Sequence, residues 1–239
     1  MLSALAAFSP AYSENFATPV KSSLEKQGER LTTLFRAARK VMSDNQHTIN
    51  DRTIGFKGIT AQTIIEQTSD VYELETGVRL DLQKLTQTEQ LLIDAMRVVL
   101  NNNQQLINEK GIGFKGFLPA IFAGQVARYF NKSTGGKITI KLTAPKDYIR
   151  NFLNKPDIWE NRVIEEYFRA NKISKGQPYF EEEKVLGKKA FRFILPEYYD
   201  ASCLGCHGVP KGSLDITGHP REGGKLYELG GAISLVIYN

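Results

Sequence analysis

Cysteine is nearly absent from this chain of 239 residues: Cys203 and Cys206 are the only two. A framework of several disulfides is therefore excluded, and whatever the pair does it does within one short stretch. Long apolar runs are missing too. No segment approaches the ~18 consecutive apolar residues of a membrane span, so the mature chain is expected to be soluble. No Lys/Arg block is interleaved with aromatics, and nucleic acid is not implied. The net charge of +5 leans toward acidic partners or an anionic surface, although a merely basic, solvated exterior explains it equally well. A make-up of 41% hydrophobic and 24% charged residues is ordinary for a globular protein and enough to build a proper core.

The two cysteines stand in Cys203-Leu204-Gly205-Cys206-His207, the C-x-x-C-H pattern of c-type haem attachment. Two thiols three positions apart on one turn can each add to one haem vinyl group. The adjoining imidazole then reaches the iron from the same side, which makes His207 the proximal ligand. Two other chemistries share part of the pattern. A redox dithiol uses C-x-x-C, but no βαβ unit precedes this one. A zinc site would need two of the three histidines, and His47 and His219 lack the usual paired spacing.

Residues 1–13 read as a signal-peptide remnant, with Ala11 and Ser13 as small residues before Glu14, or as a frayed apolar tail; a basic n-region is lacking. The haem motif itself points to a periplasmic location, because c-type haem is attached outside the cytoplasm in bacteria. Over 15–48 the apolar positions Leu24, Leu31, Leu34, Phe35, Ala38, Val41 and Met42 recur at helical spacing and predict one long amphipathic helix. The chain then repeats itself. Val41 to Gly58 and Val99 to Gly116 match at an offset of 58, sharing Asn-Gln, Ile-Asn and Ile-Gly-Phe-Lys-Gly. Each copy predicts helix, glycine turn, helix and Thr-Gly turn, and two copies are expected to bury their stripes against each other as a bundle.

Beyond Gly136 the period changes. Lys137–Thr143 alternates as a strand, and 145–156 is loop-like. A helix over 158–168 has Asp157 as its N-cap. Segments 178–184 and 189–195 form a hairpin about Leu186-Gly187-Lys188, and Gly231–Tyr238 is a last strand. The fold class is α+β: an N-terminal helical bundle region followed by an antiparallel sheet.

Several of these stretches together resemble the periplasmic haem-c PAS-like domains of bacterial chemoreceptors and sensor kinases, which also occur as stand-alone haem-c proteins in cyanobacteria. They are Gly113-Phe-Lys-Gly-Phe-Leu-Pro119, Arg150-Asn151, Asn154-Lys-Pro-Asp157, Cys203-x-x-Cys206-His207-Gly208, Glu222-Gly-Gly-Lys225 and Gly230-Gly-Ala-Ile-Ser234. The resemblance covers 89–239 and implies a PAS-like sheet carrying one covalent haem c, with 14–88 as a helical extension holding the first repeat copy. Stand-alone members resemble proteins with a cysteine as second axial ligand, whereas this chain has no third cysteine. A sensor member would continue into a membrane helix and a signalling module, and this chain stops at Asn239.

The sixth iron position is then either vacant or filled by His47, His219, Met42 or Met96. Arg150 and Arg192 are the expected partners of the haem propionates, with Lys211 able to do the same. Three functions compete: a haem module sensing redox state or a diatomic gas (NO, CO), an electron carrier docking to a redox partner protein, and a small haem enzyme for nitrite, NO or peroxide chemistry. No distal His/Arg pair is recognisable, so an enzyme is the weakest of the three. The oligomeric state is open.

Overall fold

The computed structural model describes residues 22–238, so the leader expected over 1–13 and positions 15–21 of the expected helix lie outside the described residues. Helix α1 (Ser23–Asp44) begins where Ser22 accepts a hydrogen bond from the Glu25 amide at 3.2 Å. It ends earlier than its periodicity predicts. The Asn45 side chain donates back to Val41 O at 2.9 Å, and a separate turn, α2 (Gln46–Ile49), follows. The apolar stripe is buried as expected from Leu31 to Met42, with Leu24 only partly covered, but Thr32 and Thr33 on another side are buried too. Helices cover one side of α1 and the sheet the other; a Cβ on Gly28 would lie 2.7 Å from the Phe193 ring.

The two copies fold alike. The first gives α2, the Ile54-to-Gly58 loop and α3 (Ala61–Thr76). The second gives α4 (Gln87–Asn102), α5 (Gln104–Asn108), the Ile112-to-Gly116 loop and α6 (Pro119–Ser133). They pack as a pseudo-symmetric pair with reciprocal bonds. Asn50 Oδ1 accepts from Lys115 N at 3.1 Å and Asn108 Oδ1 from Lys57 N at 3.0 Å; Gln46 donates to Phe117 O at 3.1 Å and Gln104 to Ile59 O at 2.8 Å. Each loop lysine turns back onto its own loop, Lys57 Nζ on Ile54 O at 2.5 Å and Lys115 Nζ on Ile112 O at 2.7 Å. The repeated string is thus explained as loop closure plus a handshake between copies.

The rest is a four-stranded antiparallel sheet in the order β1-β4-β3-β2: β1 (Ile138–Thr143), β2 (Tyr179–Val185), β3 (Lys188–Tyr198) and β4 (Leu229–Tyr238). Leu186 and Gly187 take positive φ and make the tight β2–β3 turn. β3 runs on through Pro196, past the end of β2 at the Tyr179–Ile194 pair, so no neighbour there needs the missing N–H. Both outer strands are guarded. The Asn131 side chain holds Ile140 N at 2.8 Å and Ile140 O at 3.1 Å, and β2 carries Glu181-Glu182-Glu183-Lys184.

One face of the sheet, with Phe191, Phe193, Leu195, Ile233, Leu235 and Ile237, shares a continuous core with all the long helices, on both sides of residue 88. On the far face lies α7 (Ile158–Val163), which widens into a π-helix over Ile164–Arg169 and packs Trp159, Val163, Ile164 and Phe168 on Ile194 and Ala232. Asp157 caps it as predicted, accepting from Glu160 N at 2.8 Å. Helices followed by an antiparallel sheet make the chain α+β.

Candidate functional site

β3 delivers the chain past Tyr199 into a turn organised by Asp200, whose Oδ1 accepts from Ser202 N at 2.8 Å and Cys203 N at 3.2 Å. One helical turn, α8 (Leu204–His207), follows, and it sets Cys203, Cys206 and His207 side by side, each half-exposed. Gly208 ends it, since a Cβ there would overlap Leu204 O. Ser43 near the end of α1 meets Ser202 at 3.0 Å, and Arg36 (2.6 Å) and Arg39 grip Glu197 at the end of β3. The turn is therefore fastened to α1.

Behind the imidazole, Tyr199 stacks on His207 with ring centres 5.3 Å apart and planes at 22°. A Cβ on Gly224 or Gly230 would overlap the Tyr199 ring, which gives the glycines of the Glu-Gly-Gly and Gly-Gly-Ala stretches a physical reason. His207 Nδ1 lies 2.9 Å from Glu222 Oε2. Arg150 is the hub of the segment after the turn: it grips Glu222 through Nε and through Nη2 (2.9 Å), Asp215 at 2.5 Å and Cys206 O at 2.5 Å.

These contacts fix the protonation of the site. Burial pushes the Glu222 carboxyl up, but the Arg150 and His207 hydrogen bonds outweigh it and hold the group below its usual range. Being ionised, it can only accept, so Nδ1 of His207 carries a proton. Burial lowers the His207 pKa despite Glu222. With Nδ1 held by the carboxylate, Nε2 is the nitrogen left for a metal, and a carboxylate on the other nitrogen is the usual support of a ligating histidine. Burial raises both thiols, Cys203 and Cys206, above their ordinary value, the reverse of an activated redox dithiol. Among the described residues no group of three or more His, Cys, Asp or Glu side chains converges to hold a metal ion, so the zinc alternative has no assembled ligand set.

The structure brings Arg150 into this cluster, where its guanidinium is filled by Glu222, Asp215 and Cys206 O. Arg192 sits elsewhere: it is buried on the far face of the sheet, with Asp157 at 2.6 Å, Glu160 at 3.6 Å and Glu183 at 3.5 Å, over the Trp159 ring. His47 is exposed on α2, its Nε2 3.1 Å from Thr48 Oγ1. His219 is exposed beyond Asp215, and Lys211 is exposed as well. Met42 and Met96 are fully enclosed in the helical core. Sequence reasoning missed the roles of Tyr199, Asp200, Asp215 and Glu222; only the Glu-Gly-Gly-Lys string held a signal for the last.

A porphyrin tethered here fits the donors present: two thiols on one turn, an imidazole with Nε2 free of hydrogen bonds among the described residues, and apolar Val209, Leu214 and Ile216 exposed on the following segment. No described helix is long and apolar enough to cross a membrane. No curated protein and no solved structure matches the chain. A family model matches residues 17–237, and on that match the chain belongs to the Tll0287-like family, the family of Tll0287, a cyanobacterial haem-c protein.

Proposed function

We propose that this chain is a periplasmic haem-c module, joined to one haem by thioethers at Cys203 and Cys206, with His207 Nε2 as proximal ligand. The observation that carries the reading is the placing of His207, its Nδ1 2.9 Å from Glu222 Oε2 and its ring stacked on Tyr199, beside two cysteines of the same turn. When bound, the haem supplies an iron that changes oxidation state or takes a diatomic ligand. The chain's own groups orient the imidazole, keep its tautomer and anchor the turn to α1. A PAS-like classification is supported by the antiparallel sheet with helices on both faces, and the periplasm by the attachment chemistry.

Sensing of redox state or a diatomic gas is favoured over electron carriage by two features. Both core methionines are enclosed and so withheld from the iron, and the turn is fastened to α1, a helix that touches both the sheet and other long helices. The test is production of the protein alongside a haem-c maturation system. The expected product is coloured, with the mass of one haem added, and Cys203→Ala/Cys206→Ala is colourless. Carbon monoxide binding by the reduced form supports the sensor, and indifference to it supports a carrier. A colourless protein of bare polypeptide mass overturns the reading.

A further inference from the structure

α7 covers only part of the far face of the sheet. Beside it opens a cleft of about 200 Å³, floored by Lys141, Arg192 and Ser234 and roofed by Asp157 and Glu160 at the start of α7. That volume is several times the ~30 Å³ share of one water and below the ~300–1,000 Å³ of pockets for drug-sized ligands. It suits a small solute.

Two floor groups are buried without a partner: Nε of Arg192, a residue 4% exposed, and Oγ of Ser234, 2% exposed. Paired register explains why they meet. Arg192 and Ser234 stand on the adjacent strands β3 and β4, and Lys141 lies directly opposite Ser234 on β1. Native proteins leave few buried donors unmatched, so both call for an oxygen acceptor. The cations already present are paired. Lys141 lies 2.9 Å from Glu160 Oε2, and Arg192 Nη2 lies 2.6 Å from Asp157 Oδ2. Glu183 adds a third carboxylate 3.5 Å from Arg192 Nη1, so a bare anion meets no favourable net field. Glu160 Oε1 has only the 3.6 Å approach of Arg192, longer than a hydrogen bond, and keeps accepting capacity.

Unmatched donors on the floor and an accepting carboxylate on the roof describe a ligand bearing both signs on neighbouring carbons. We propose that this cleft binds a small α-amino acid, its ammonium toward Glu160 and its carboxylate drawing Arg192 Nε and Ser234 Oγ, both closed to solvent without it, outward to meet it. The site is separate from the Cys203 turn and does not depend on the haem.

The test is isothermal titration of the full chain with glycine, alanine and serine, and with acetate and methylammonium as the two halves of the ligand. Saturable binding of an amino acid is expected, with each half binding far more weakly. Ser234→Ala removes one charge-assisted hydrogen bond and should weaken binding about tenfold, leaving the absorption spectrum of the haem unchanged. Glu160→Gln should weaken the amino acid but not acetate. Because Glu160 Oε2 also accepts from Asp157 N at 2.9 Å and so helps cap α7, Ser234→Ala is the deciding variant. No heat with any amino acid, acetate binding as tightly as alanine, or a Ser234→Ala variant that binds as the parent does would each overturn the assignment.

Discussion

Replacing Glu222 by glutamine exchanges an ionised acceptor for an amide that can present either oxygen or nitrogen to His207. The Nδ1 proton is then no longer held by charge, and Arg150 loses one of its two carboxylates. In the haem-loaded protein we expect covalent attachment to persist while the iron–imidazole bond weakens by roughly 10–100-fold, read as growth of a high-spin absorption and EPR signal. Arg150→Ala is more damaging to the fold. It strands the buried carboxylates of Asp215 and Glu222 and should cost about 3–5 kcal/mol in urea denaturation, with Arg150→Lys recovering little because one ammonium cannot span both carboxylates and Cys206 O. At this scale the spacing of Cys203, Cys206 and His207 is legible in the sequence, and the structure sets the three side by side on one turn. Glu222 lies fifteen positions from His207, one among 26 acidic residues, and only the closing of Gly224 N onto His207 O at 2.7 Å brings it there.

Among the elements, the duplicated unit makes a quantitative claim. Asn50 and Asn108 do the same work on opposite sides of the pseudo-symmetric interface, each accepting from the other copy's loop lysine amide. Asn50→Ala and Asn108→Ala should each cost about 1–3 kcal/mol and agree within error, and the double variant should depart from additivity, since both bonds belong to one interface; urea denaturation of the four proteins checks both points. Gly28→Ala tests the joint between α1 and the sheet. A methyl group 2.7 Å from the Phe193 ring forces repacking and should destabilise by about 1–3 kcal/mol in the same assay. Periodicity showed the helices and alternation showed the strands, because these are local properties. The break at Asn45 and the run of β3 through Pro196 were not visible, since one depends on a side chain returning to Val41 O and the other on where a neighbouring strand ends.

For the whole molecule, acid is the revealing variable. Burial pushes the Glu89 carboxyl up, but hydrogen bonds from Arg30 and Thr86 prevail and hold it below its usual range. A folded-state pKa under the unfolded one contributes stability that is complete above the unfolded value and is lost as pH falls through the folded value. Glu89→Gln should therefore be less stable than the parent at neutral pH, with the gap closing below about pH 4. Denaturation curves across pH check this, and parallel curves would show that the carboxylate is not the source. The fold class followed from the order of helical and alternating segments. That the helices on both sides of residue 88 share one core with the sheet did not, because it is set by contacts across more than a hundred positions.

The rims of the sheet have a bearing on how copies of this chain behave when crowded together. One rim is occupied by the Asn131 amide, which stands in for a missing strand; a second molecule approaching the other would bring three consecutive glutamates against its own three. Fibre-like stacking is thereby refused at both ends, and concentrated solutions should stay clear of amyloid dye-binding deposits until Glu181, Glu182 and Glu183 are neutralised.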